Sequence, residues 1–215
     1  MVFDLRLKTN FKLFLAGPSG CGKTTLMVNI IKNINKFAIN PPKIIIYYFK
    51  TWQNKFDWLK NEYGVIFMED NESIIEQLKE YQSPALVIFD DMINSDNLRQ
   101  IAQLFTVFGR HQNLSLAFLS QRLFNNNEFF RQISQNSDYL AVFKNPRNSM
   151  DIRILGGQMA SKSNDLIQIY KKATQLPYSY LFINLTQEAI PQLMFINNLF
   201  CTDHVITAYV LTECK

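Results

Sequence analysis

An α/β domain, with a mostly parallel central sheet and helices on both faces, is the fold class this sequence predicts. Three observations predict it: short, almost wholly apolar runs recur along the chain, amphipathic segments separate them, and the first run passes through a glycine-rich turn straight into a helical spacing. Apolar runs of strand length fall at 11–16 (FKLFLA), 43–49 (KIIIYYF), 65–68 (VIFM), 85–89 (ALVIF), 114–119 (LSLAFL), 139–143 (YLAVF) and 178–183 (YSYLFI). Helices are expected over 24–35, 72–81, 96–109, 127–134, 149–155 and 163–174. The first carries Leu26, Met27, Ile30, Ile31 and Ile34 on one face, and 96–109 carries Leu98, Ile101, Ala102, Phe105 and Phe108. Pro41-Pro42 and Ser83-Pro84 punctuate the approach to two strands, and no repeat, low-complexity tract or linker divides the chain. Residues 1–215 are therefore expected to form one domain.

The turn after the first run reads Gly17-Pro18-Ser19-Gly20-Cys21-Gly22-Lys23-Thr24-Thr25. Its spacing, Gly17-x-x-x-x-Gly22-Lys23-Thr24, is a Walker A loop, which makes an α/β P-loop NTPase of the added-strand (ASCE) class the expected architecture. Glycines let successive backbone N–H groups converge on one concavity, and the following helix N-terminus adds its partial positive charge. ATP phosphates are expected there, with Lys23 on the β- and γ-phosphates and the Thr24 hydroxyl on Mg²⁺. A glycine-rich turn with a chance lysine would spell the same letters, but it would need no strand before it and no helix after it.

The run ALVIF ends in Asp90-Asp91. A carboxylate at the C-terminal end of a buried strand stands over the crevice where α/β sheets bind ligands, so Asp90 fits the Walker B role of holding Mg²⁺. Asp91 fits the base that orients or deprotonates an attacking water, with a helix cap before INSDN as the alternative. Gln121 ends another apolar run thirty residues later and could bond both γ-phosphate and water; a polar residue in a simple turn is the alternative. The Asn-Lys-x-Asp signature of guanine recognition is absent.

Composition bounds the remaining classes. Hydrophobic residues make up 47% and charged residues 19%, as in ordinary globular proteins. No apolar run has the length to cross a bilayer and MVFDLRLK is no signal sequence, so an intracellular protein without membrane attachment is expected. Cys21, Cys201 and Cys214 are scattered and lack zinc-type spacing, so they read as reduced thiols. Cys21 is either a redox-sensitive group in the phosphate loop or a small residue tolerated there. The net charge of +4 lies entirely between Arg122 and Lys172, where eight basic residues face four acids. That segment is either a phosphate-facing surface or a solvated helix face. Trp52 and Trp58, interleaved with Lys50, Lys55 and Lys60, either face nucleic acid or pack locally on the sheet.

The stretches GPSGCGKTT, LVIFDDM, FLSQRLF and LAVFKNPR, in this order, resemble the viral genome-packaging ATPases of the FtsK–HerA superfamily. Within it the chain is most similar to the poxvirus-type branch found in Polinton (Maverick) elements, adintoviruses and virophages. FKTWQNKFDWL, RQISQNSDYLAVFKNPRN and PYSYLFINL extend the likeness from about Phe11 to Phe200. The resemblance implies ATP hydrolysis by a homo-oligomeric ring that pumps double-stranded DNA into a preformed capsid, with a capsid or portal protein as partner. It also implies an arginine acting in trans, for which Arg131 and Arg147 match positions where arginine is usual. Arg110 and Arg122 are weaker candidates, and a surface salt bridge is the alternative for each. Two other classes stay open: a phosphotransferase with a hydroxyl acceptor, and a nucleotide-gated assembly protein with negligible turnover.

Overall fold

The computed structural model describes residues 3–70, 72–81, 84–147, 149–159, 163–200 and 205–211; the side chains of Arg110 and Ser163 lie outside that set, as do Cys201, His204 and Cys214. Among the described residues nine strands form one sheet: β1 (Lys12–Ala16), β2 (Ile44–Phe49), β3 (Ile66–Glu69), β4 (Ala85–Asp90), β5 (Leu114–Ser120), β6 (Tyr139–Phe143), β7 (Tyr180–Asn184), β8 (Phe195–Asn197) and β9 (Thr207–Tyr209). Their order is β3-β2-β4-β5-β1-β6-β7-β8-β9. The first six in that order are parallel, and β7, β8 and β9 add antiparallel to the β6 edge.

Both faces are covered by helices, as the continuous apolar strands require. One face takes α1 (Lys23–Lys32), α2 (Ile34–Phe37) and α3 (Asn54–Tyr63), which bury Leu26, Met27, Ile30, Phe56 and Leu59 against Leu13, Leu15, Tyr47 and Ile88. The other takes α4 (Ile74–Leu78), α5 (Leu98–Gln103), α6 (Gly109–His111), α7 (Glu128–Gln135), α8 (Met150–Gln158) and α9 (Ser163–Ala173). Its centre is a ring cluster in which Phe14 stacks on Phe118 and meets Phe130 edge-on, each at 5.6 Å between centroids.

Several sequence expectations shift. The helix expected over 24–35 breaks at Asn33 into α1 and α2. That expected over 96–109 passes from α5 through a π turn, Leu104–Phe108, into α6. The wider turn frees the Phe105 carbonyl to accept from Lys12 Nζ, a lysine only 4% exposed that must be paired to be tolerated there. No periodicity announces α3, because it buries only Phe56 and Leu59 and so shows no stripe; Gly64, at φ 62°, ends it in the left-handed conformation. Trp52 packs its ring against Phe49, Phe56 and Phe67, and Trp58 packs on Tyr63 and under the Lys32 ammonium, while both indoles keep an exposed face.

Candidate functional site

Parallel strands deliver all their C-terminal ends to one rim of the sheet. The sequence from 43 to 68 contributes two strands between the Walker motifs, yet neither lies between them in space. The strand inserted between the Walker A strand β1 and the Walker B strand β4 is β5. It anchors both loops: Gly17 N donates to Ser120 O and Asp91 N donates to Leu119 O, each at 3.1 Å. Gln121 therefore emerges between the phosphate loop and the two aspartates.

The phosphate loop is shaped by close approach and by two left-handed glycines. Gly20 and Gly22 have φ of 75° and 105°. Gly17 is required for space: a Cβ there would lie 2.6 Å from Phe143 Cβ and 2.7 Å from Cys21 Sγ. Gly17→Ala is expected to lower stability by about 1–3 kcal/mol through overpacking and to weaken nucleotide binding at least about tenfold. Thermal unfolding and titration with a nonhydrolysable ATP analogue check both; unchanged affinity would show that the loop tolerates the displacement. Lys23 Nζ donates to Gly17 O at 2.7 Å and Pro18 O at 3.1 Å, which holds the ammonium over the concavity. Burial pushes the Cys21 thiol above its ordinary pKa despite the nearby Lys23, which favours a small inert side chain over a redox-sensitive one.

At the Walker B end, Asp90 Oδ2 accepts from Tyr47 Oη at 2.7 Å and from Thr24 Oγ1 at 3.4 Å. Tyr47 is fully buried, and within an apolar strand nothing in its spacing marks it as a partner of Asp90. Asp91 stands at the N-cap position of the 3-10 turn Met92–Asn94 in the left-handed region, φ 59° and ψ 37°, but makes no side-chain capping hydrogen bond; its Oδ2 accepts from Gln121 Nε2 at 3.0 Å. The hydroxyl and carboxylate of Thr24 and Asp90 suit a magnesium ion, which takes one or two protein oxygens and completes its shell with phosphates and water.

Burial raises the Asp90 pKa, opposed by the Tyr47 hydrogen bond and the Lys23 charge. A carboxylate whose folded pKa exceeds its unfolded value binds its proton more tightly when folded. Its contribution to stability is thus greatest below the unfolded pKa and falls as pH rises through the folded value. Asp90→Asn, which keeps an acceptor for Tyr47, is expected to raise the unfolding midpoint of the metal-free protein, by more at pH 8 than at pH 4. An equal or smaller gain at pH 8 would contradict the burial penalty.

The rim holds a cavity of ≈ 1370 Å³ whose lining includes Lys23, Thr24, Asp90, Asp91, Gln121, Tyr178 and Asn198. Ser19, Gly20, Gly22 and Thr25 also line it. Lys50 and Lys55 line it too, so these two lysines face the nucleotide cavity; burial pulls the Lys55 pKa down while the Asp90 charge raises it. Arg131, on α7, and Arg147, in the turn after β6, are exposed and lie outside the cavity lining. Among the described residues neither enters an ion pair. Arg147 N donates to Asn145 Oδ1 at 3.1 Å, which fixes the turn that presents it.

A family model described as Poxvirus A32 protein matches residues 3–169. Comparison with curated protein sequences finds no match. Among solved structures, the chain is similar to the genome packaging NTPase B204 from Sulfolobus turreted icosahedral virus 2 in complex with AMPPCP, with a TM-score of 0.56 and 16% identity over 84% of this chain and 95% of that one. B204 described as the DNA-packaging ATPase from Sulfolobus Turreted Icosahedral Virus gives 0.57 and 13% over 84% and 95%. EccC from Thermomonospora curvata, in complex with a signal sequence peptide, gives 0.50 and 16%, over 81% of this chain and 35% of that one. These likenesses establish a P-loop ATPase fold.

Proposed function

Because this chain belongs to the Poxvirus A32 protein family, we propose that it is the ATP-hydrolysing motor of viral genome packaging. It works as a homo-oligomeric ring that drives double-stranded DNA into a preformed capsid at the host-cell assembly site, docked on a capsid or portal protein. The observation that carries this reading is the convergence of Lys23, Thr24, Asp90, Asp91 and Gln121 on one rim, with β5 locking both loops.

The chemistry follows from the chain's own groups. Phosphate binding exchanges the carbonyl partners of Lys23 for β- and γ-phosphate oxygens, within a concavity of backbone N–H groups at the start of α1. Thr24 and Asp90 would hold Mg²⁺, which when bound supplies charge neutralisation for the β- and γ-phosphates. Gln121 ties down Asp91 Oδ2, leaving Oδ1 to accept a proton from the attacking water. Water oxygen bonds to the γ-phosphorus, the bond to the β-phosphate oxygen breaks, and ADP and phosphate leave. An arginine from a neighbouring subunit, Arg147 or Arg131, stabilises the charge that develops. A motor indifferent to sequence contacts DNA phosphates, and the basic excess between Arg122 and Lys172 supplies such contacts.

One assay separates the motor from its alternatives: ATP turnover measured across protein concentration, with and without long duplex DNA and without a hydroxyl acceptor. A steep rise with concentration and DNA is expected. Turnover that needs an acceptor and ignores DNA would make the protein a phosphotransferase; binding without turnover would make it a nucleotide-gated assembly protein.

A further inference from the structure

Six non-glycine residues among those described have positive φ: Asn10, Asn40, Asp91, Asn113, Tyr178 and Asn198. Five are Asn or Asp, whose side chains tolerate the left-handed region. Tyr178, at φ 62°, is the exception. It follows Pro177 in the turn joining α9 to β7, at a turn position where a positive φ calls for Gly or Asn. Packing does not compensate for the strain, since the side chain is 71% exposed. A strained residue held at a cavity points to a role for its side chain.

The turn is fixed from several sides. Lys144 N donates to Ser179 O at 3.1 Å, Lys144 Nζ to Gln175 O at 2.7 Å, and Ser179 Oγ to Leu176 O at 2.6 Å. The ring is thereby set beside the phosphate loop: Tyr178 Cβ lies 3.6 Å from the point a Cβ on Gly22 would occupy. The sheet order places it across β1 from the catalytic acids, with Asp91 and Gln121 on the β4 and β5 side and Tyr178 beside β6 and β7. A triphosphate held by the loop with its γ-end at Asp91 directs its nucleoside across β1 to the side on which Tyr178 stands.

We propose that Tyr178 is the stacking platform for the purine base of the bound nucleotide, with Asn198, also left-handed and lining the same cavity, offering its amide to the base edge. This rests on the nucleotide reading above and adds a base subsite to it. An aromatic face stacked on a base contributes about tenfold to a hundredfold in affinity, and a purine offers more ring to it than a pyrimidine.

The test is calorimetric titration of the full chain with AMPPNP and with inorganic tripolyphosphate, for wild type, Tyr178→Phe and Tyr178→Gly. Glycine relieves the backbone strain, so Tyr178→Gly is expected to unfold at a higher temperature than wild type while binding AMPPNP at least about tenfold more weakly. Its tripolyphosphate affinity should not change, and Tyr178→Phe should match wild type for both. An unchanged ratio of AMPPNP to tripolyphosphate affinity in Tyr178→Gly overturns the stacking role and leaves the phosphate site standing. Failure of wild type to bind either compound overturns the nucleotide reading, and this subsite with it.

Discussion

Asp91→Asn is expected to leave nucleotide affinity within about twofold of wild type while slowing ATP turnover by about a hundredfold to ten-thousandfold, the range of a positioned general base. The substitution suits this position because asparagine, like aspartate, accepts the left-handed conformation that residue 91 adopts. The Walker B loop should therefore keep its shape, and Gln121 can still donate to the amide oxygen from its 3.0 Å position. What disappears is the group proposed to take the proton. Single-turnover hydrolysis paired with analogue binding separates the two effects; wild-type turnover in this variant would remove Asp91 from the mechanism and leave it a structural turn residue.

Arg147→Ala should lower turnover by about a thousandfold to a hundred-thousandfold with nucleotide affinity preserved, since an arginine acting in trans stabilises charge only in the transition state. The structure supports this placement in two ways. Arg147 lies at the C-terminal end of β6, on the same rim as the phosphate loop, and it is exposed outside the cavity lining of its own chain. A mixture tests the trans action directly. Equal amounts of Arg147→Ala and Asp91→Asn subunits unite an intact acid with an intact arginine at about a quarter of the interfaces of a heterologous ring, so activity should reappear. Two inactive variants that stay inactive when mixed would argue for an arginine acting within its own chain, and an active Arg147→Ala would pass the role to Arg131.

Where function depends on local spacing, the sequence was legible. Gly17, Gly22, Lys23 and Thr24 stand within one turn, and Asp90-Asp91 stand at the end of one strand, so their letters and their geometry coincide. Helix breaks were less visible: Asn33 and the π turn at Leu104–Phe108 preserve the apolar stripe while changing the path of the backbone. The helix α3 stayed hidden because two buried residues make no periodicity. Lys50 and Lys55 were noted as part of an aromatic-basic segment, but only the turn from β2 into α3 brings them to the nucleotide cavity.

By itself the sequence determined the alternation of buried strands and helices, the phosphate loop, the twin aspartates and Gln121. These follow from periodicity and from contacts along one stretch of chain. Only the tertiary structure decided that β5 lies between the two Walker strands, that Tyr47 bonds Asp90 and that Tyr178 overlooks Gly22. Each of these depends on which distant strands pair and in what register, and pairing energy between apolar strands is nearly the same for many orders. Burial of the whole sheet selects one order, and that selection is what turns separate motifs into a site.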